Sequence, residues 1–376
     1  MRIAELDVWT VNVPYTSAFK TSFDKRVGTT RTVLRLRTDT GLVGWGETFR
    51  GRPTAAIVER CRDLLVGWNP CDVERLRARL YMTPFFYGYV GYAALAGIEM
   101  ACHDLMGKAA GMSLTDMIGG SVRDTVAVTG VVTPGLLPPG ASASDPRAMA
   151  EASSEFRARY GFSALKLKGS SDMRRDVATV AAMRERMPDV RLRIDPNAVW
   201  SVTDSIAGAK ALAPFDLEYL EDPCAGLEGM ARVRQTTGMP LCTNMCVVRL
   251  EEFAPAVRLG AIDVIHGDVH KWGGINAVRR LGALCDAFGI GMNLHSGGEL
   301  GISTACHLHL ASAMPEIRHA IDTVYYLMED DIVTTPFAIK DGAMRAPAGP
   351  GLGVEVDEDK LAHYAALNGK QGDLVQ

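Results

Sequence analysis

Apolar and polar residues alternate along residues 2–13 and again along RTVLRLRT at 31–38, and TGLVGWGE at 40–47 adds a turn and a third alternating stretch. That period of two predicts three strands. The period then lengthens. Apolar positions recur every three or four residues over 54–65, 73–81 and 90–106, which predicts helices, and GKAAGMSLTDMIGG adds a short helix and a Gly-Gly stop. Strands grouped before helices predict an α+β unit over residues 1–122.

From residue 123 the two patterns alternate with each other. Candidate strands lie at 125–132, 164–168, 191–195, 217–221, 240–244, 264–268, 291–295 and 320–323, with helical patterns at 147–159, 172–186, 203–213, 227–237, 250–259, 275–288 and 302–313. Eight strands separated by seven helices predict an α/β barrel over 123–335. An open doubly wound sheet usually carries a Gly-rich phosphate turn after its first strand; the Pro- and Ser-rich TPGLLPPGASASDP stands there instead. Residues 336–376 return to short strands and turns and are expected to fold back on the N-terminal unit.

Composition narrows the function without naming it. Of 376 residues, 47% are hydrophobic and 22% charged, which suits a globular chain with a large core. The net charge is −4 with Lys and Arg scattered, so no basic face invites nucleic acid. The N-terminus alternates and lacks a secretory apolar run. No apolar run approaches the ~20 residues that span a bilayer. The eight cysteines include no CxxC pair, and even the closest, Cys242 and Cys246, read as free thiols of a reducing cytoplasm.

The chemistry lies at the strand ends. Lys166 and Lys168, Asp195, Glu221, Asn244, Asp268, His295 and Asp322 close successive barrel strands at intervals of about 23–27 residues. The C-terminal strand ends of a barrel open onto one face, so this register predicts a single pocket. Asp195, Glu221 and Asn244, on neighbouring strands, offer three oxygen donors, which suits Mg²⁺, with Mn²⁺ as a substitute. Lys166 and Lys168 lie two apart and point the same way, and crowding two ammonium groups is expected to lower the pKa of one. Asp268 beside His295 would fix the imidazole tautomer. Amine and imidazole can then reach one carbon from opposite faces. His266 and His270 receive no role, and Lys271, past its strand end, reads as structural. Residues 14–28 read as a polar loop able to close over the site, with Tyr15, Lys20 and Arg26 as candidates to meet the far end of a diacid.

KLK, RIDPNAVW, YLEDP, CTNM, GDVHKWGG, LHSGGELGIS and HAIDT stand in this order, with IEMACHDLMGKAAG before them and PGLGVEVD after. Together they resemble the enolase superfamily, most closely its glucarate dehydratase group. The resemblance implies a modified (β/α)₇β TIM-like barrel with an N-terminal capping domain, and Mg²⁺ held by Asp195, Glu221 and Asn244. It implies Lys168 as one base and His295, oriented by Asp268, as the other, with Lys166 and Asn197 on the substrate carboxylate and Asp322 facing the pocket. The expected activity is dehydration of a small acid sugar to a 2-keto-3-deoxy acid, in a cytoplasmic homo-oligomer. Relatives of the group have a His where this chain has Val324, so the distal contacts differ. Three other readings compete: a racemase or epimerase using the same bases, a Schiff-base aldolase using Lys168, and a metal-binding barrel without turnover.

Overall fold

The computed structural model describes residues 1–80 and 82–374. Tyr81, the expected end of the second cap helix, and Val375 and Gln376 of the C-terminal segment lie outside the described residues.

Strands β1 (Ile3–Lys20), β2 (Lys25–Thr38) and β3 (Val43–Phe49) form an antiparallel sheet in that order. The expected loop at 14–28 is instead the far end of the β1–β2 hairpin. Within it pairing is irregular between Pro14 and Phe19, and the turn closes where Thr21 N–H donates to the Asp24 carbonyl (3.0 Å). Proline lacks an N–H and favours such a break, and the ladder resumes beyond it with Phe19 opposite Arg26 and Lys20 opposite Lys25.

The sheet packs on the helix Met82–Ala110, which is longer than its apolar period predicted because it runs on through a kink at Gly88 (φ 53°). Sheet and helix backbones nearly touch: a Cβ on Gly46 would sit 2.1 Å from the Gly97 carbonyl oxygen. Gly46→Ala is therefore expected to destabilise the cap by about 1–3 kcal/mol through overpacking. Urea unfolding would register this as a lower midpoint, and an unchanged midpoint would show that the layers can separate.

Eight parallel strands follow: β4 (Val126–Val132), β5 (Ala164–Lys168), β6 (Arg191–Asp195), β7 (Tyr219–Glu221), β8 (Leu241–Thr243), β9 (Val264–His266), β10 (Gly291–Asn293) and β11 (Ile321–Thr323). Each pairs with its neighbour from β4 to β10, and β11 pairs with β4. Asp322 N–H donates to the Leu294 carbonyl (3.0 Å) and draws the last gap together. The fold is thus a nearly closed eight-stranded barrel with an antiparallel cap. A short strand, β12 (Ala343–Met344), pairs with the start of β4, at the end of the barrel away from the mouth. The helix Glu358–Gln371 returns to the cap, where Asn368 Nδ2 donates to Asn12 Oδ1 (2.9 Å). No helix among the described residues is long and apolar enough to cross a membrane.

Buried polar groups fix the cap on the barrel. Glu47, fully buried, accepts from Arg31 Nε (2.7 Å) within the cap and from the N–H groups of Leu300 (2.9 Å) and Ser303 (2.8 Å) below it. The hairpin tip is tied down as well: Ser22 Oγ donates to the carbonyls of Gly169 (2.9 Å) and Pro196 (2.8 Å), just past β5 and β6. These bonds hold the hairpin over the barrel mouth.

Candidate active site

The C-terminal strand ends and the hairpin enclose a cavity of about 320 Å³. Alternation along β5 turns Lys166 and Lys168 inward and buries Leu165 and Leu167 on the outer side. The β5–β6 register sets Lys168 beside Asp195, and its Nζ donates to Asp195 Oδ2 (2.5 Å). Asp195 also accepts from the backbone and side-chain amides of Asn197, both at 2.9 Å. Lys166 Nζ donates to Glu221 Oε2 (2.9 Å) and to Asp322 Oδ2. Glu221 Oε1 accepts from Asn244 Nδ2, and Lys271 Nζ donates to Asn244 Oδ1 (2.8 Å) and to the Asn244 carbonyl (3.0 Å).

Asp195, Glu221 and Asn244 therefore come together on three neighbouring strands. Each is almost completely buried, and each carboxylate holds an ammonium group, so the region favours positive charge. Asn197 Oδ1 is buried with no hydrogen-bond partner. As bonded here, Asn244 turns its Nδ2 to Glu221 and its Oδ1 to Lys271; a cation between Asn244 and Glu221 would take the place of the Nδ2 contact and need the amide turned by 180°. A set of oxygen donors in negative surroundings fits a hard divalent cation. A second set, Glu221, Cys242 and His266, also brings ligand atoms within 4.8 Å of one another. There Lys166 (2.9 Å) and His266 (3.2 Å) crowd the same Glu221 oxygen, and burial holds the Cys242 thiol neutral, well above its usual range. The oxygen set is the better cation site.

Asp268 and His295 lie just past the last ladder pair of β9 and β10, where the backbone has left the sheet. Asp268 caps the helix Val269–Trp272 through its Oδ1, and its Oδ2 lies 2.9 Å from His295 Nδ1. Nδ1 is thus the protonated nitrogen, and Nε2 is left for a substrate. Burial and the nearby Lys271 charge push the imidazole down to about 4, against the support of Asp268. Near pH 7 His295 is neutral and able to accept a proton. Burial opposes the charge on Asp268, yet the His295 hydrogen bond and the surrounding cations hold it well below the carboxylate range.

Asp268→Asn is expected to lower kcat by about 10²–10⁴-fold, because the amide can hold the wrong tautomer. In the wild type the acid limb of the rate profile should fall near pH 4–5 rather than 6.5. The variant loses the charge that supports the imidazolium, so its limb should move lower still. Stopped-flow rates across pH 4–8 check both. A wild-type limb near 6.5, or a variant with unchanged kcat, would contradict this role.

Some expectations need correction. The expectation that crowding depresses one lysine left open which; it is not Lys166, where burial opposes the charge but Asp322, Glu221 and Asp195 outweigh it and raise the pKa. Lys166 is thus a fixed cation and a poor base. Lys271, read as structural, lines the cavity and holds Asn244. Asp222, unassigned in the sequence, accepts from Thr243 Oγ1 (2.5 Å) and from Asn244 N–H (2.8 Å), orienting Asn244 from a left-handed backbone (φ 36°). Its place in YLEDP, beside a candidate ligand, was the available signal. His266 lies against Glu221, and only its alternation with Asp268 and His270 hinted at an inward position. Of the candidates for a distal anion, Arg26 lines the cavity but is paired with Asp24 (2.7 Å), and Lys20 is exposed away from it.

Comparison with known proteins supplies the family. Residues 3–119 match the mandelate racemase/muconate lactonizing enzyme N-terminal domain, and residues 148–360 match the enolase C-terminal domain-like family. A protein of Streptomyces coelicolor named probable glucarate dehydratase is 34% identical over 89% of this chain and 84% of its own. The crystal structure of an isomerase from the same species is 54% identical, covers 100% of both chains and superposes with a TM-score of 0.94. An enolase from Thermobispora bispora, solved with magnesium and formate, is 34% identical over 99% of this chain and 94% of its own, with a TM-score of 0.91. The capped barrel, its polar strand ends and these matches together make the chain an enzyme of the enolase superfamily.

Proposed function

We propose that the protein is a Mg²⁺-dependent acid-sugar dehydratase that abstracts the proton α to a carboxylate and eliminates the β-hydroxyl, releasing a 2-keto-3-deoxy acid. The observation that carries this reading is the Asp268-bonded imidazole of His295 lining one cavity with Lys168, on strands that flank the Asp195–Glu221–Asn244 set. The relative named probable glucarate dehydratase supports elimination as the outcome.

Asp195, Glu221 and Asn244 would hold the cation, with Mn²⁺ as a substitute. When bound, it supplies Lewis-acid stabilisation of the charge that develops on the substrate carboxylate. Lys166, held charged by Asp322 and Glu221, places that carboxylate, and Asn197, whose free Oδ1 is an acceptor, takes a hydroxyl of the substrate. His295 Nε2 takes the C2 proton, and the C2–H electron pair passes into the enediolate. The imidazolium so formed gives that proton to the departing C3 hydroxyl, which leaves as water, and the resulting enol takes up a proton from solvent at C3 to become the ketone. Where the C2 configuration is inverted, Lys168, as the free amine, takes the C2 proton instead, and its ammonium returns it to the leaving hydroxyl.

The isomerase among the solved relatives favours a second reading, epimerisation through the same two bases. Incubation with Mg²⁺ in D₂O against four- to six-carbon acid sugars separates the two. Release of 2-keto acid, abolished by chelation and restored by Mg²⁺, is expected. Deuterium exchange or epimer formation without keto acid would make the protein an epimerase.

A further inference from the structure

The far wall of the cavity points to one class of acid. We infer that the natural substrate is a monocarboxylate whose distal end is a methyl group, a terminally deoxygenated sugar acid, rather than a diacid; this rests on the proton-abstraction reading above. Strand order supplies the direction. The candidate cation ligands come from β6, β7 and the end of β8, and the two candidate bases flank them at β5 and β10. Across the mouth from the ligands lie β4 and β11. A substrate anchored by its carboxylate near β7, with C2 between β5 and β10, extends its remaining carbons toward β4, β11 and the hairpin.

Three side chains make part of that wall apolar, beside Asp322 of β11, which Lys166 holds, and Thr21 of the hairpin. Val131 of β4, Val324 just past β11 and Phe19 of the hairpin form one buried cluster with Leu327, and the first three line the cavity. The backbone there offers little to a hydroxyl: Tyr326 Oη donates to the Val131 carbonyl (2.8 Å) and also lies 3.2 Å from the Val131 N–H. The lining cations outside the catalytic group are mostly engaged elsewhere. Arg26 is neutralised by Asp24 (2.7 Å), Lys271 is committed to both oxygens of Asn244, and exposed Arg50 stacks at the rim on Phe49 (5.3 Å). A carboxylate or hydroxyl pressed against Phe19, Val131 and Val324 loses its water without replacement, whereas a methyl group loses nothing.

The test compares matched acids that differ only at the last carbon, ending in CH₃, CH₂OH or COO⁻, across their stereoisomers. The readouts are C2–H exchange in D₂O and keto-acid release, with Mg²⁺ present. The methyl acid should exceed its CH₂OH counterpart by about 10–100-fold in kcat/KM, mostly through KM. Val324→Thr, which adds a hydroxyl at nearly constant volume, should reduce that ratio several-fold, and Phe19→Tyr serves as a second variant at the same wall. A diacid handled as well as the methyl acid, or a ratio unmoved in both variants, would overturn this inference and leave the catalytic reading intact. Exchange with none of the acids would overturn both.

Discussion

Lys168→Ala is expected to lower the rate of C2–H abstraction by about 10²–10⁴-fold, the usual contribution of a positioned general base. Lys168 ends β5 with its amine 2.5 Å from Asp195, at the edge of the cavity and facing the proposed cation site. Asp195 keeps both amide donors of Asn197 after the substitution, so the ligand set should persist. Mn²⁺ affinity measured by EPR should be unchanged or tighter, since a competing cation is gone. The loss should be confined to the C2 configuration whose hydrogen faces β5, leaving His295 to exchange the opposite one. Equal loss for both configurations would mean that Lys168 holds the site together rather than moving a proton.

Glu221→Gln should act on metal, fold and turnover together. Glu221 is fully buried and is approached by Lys166 (2.9 Å), His266 (3.2 Å) and the Asn244 amide. Neutralising it removes one charge from the proposed cage, and Mg²⁺ affinity should fall by at least about 100-fold, beyond the effect of losing an outer-shell contact. Lys166 then depends on Asp322 alone. Breaking a buried ion pair costs about 3–5 kcal/mol, and the surviving partner puts the expected loss near the lower figure. Denaturant unfolding and isothermal titration with Mg²⁺ read the two effects separately. Intact metal affinity in this variant would remove Glu221 from the ligand set.

Barrel and cap were legible because their determinants are periodic. Period two, then period 3.6, then their alternation is a local signal, and the strand-end polar residues recur once per βα unit. Lys166, Lys168, Asp195, Glu221, Asn244, Asp268, His295 and Asp322 could be listed as convergent for that reason, and the structure brings them around one cavity or into direct contact with its lining. What failed depended on contacts between distant segments. The hairpin at 14–28 looked like a loop because Pro14 and the polar tip hide a ladder that only pairing with β2 reveals. Lys271 looked structural because its partner, Asn244, is 27 residues away, on the loop after another strand. The raised pKa of Lys166 follows from two carboxylates brought in by β7 and β11, whereas the sequence displayed only its neighbour Lys168. The apolar wall of Phe19, Val131 and Val324 joins three segments with no shared motif.

The central claim is that an oxygen cage on β6–β8 holds a hard cation while Lys168 and His295 address one carbon from either side. A crystal grown with Mn²⁺ and a slowly reacting 2-hydroxy acid, with the ion placed by its anomalous signal, addresses it directly. The account predicts the ion on one oxygen each of Asp195, Glu221 and Asn244, with C2 lying between Lys168 Nζ and His295 Nε2. An ion on Glu221, Cys242 and His266, or a C2 carbon beyond the reach of both nitrogens, would contradict it.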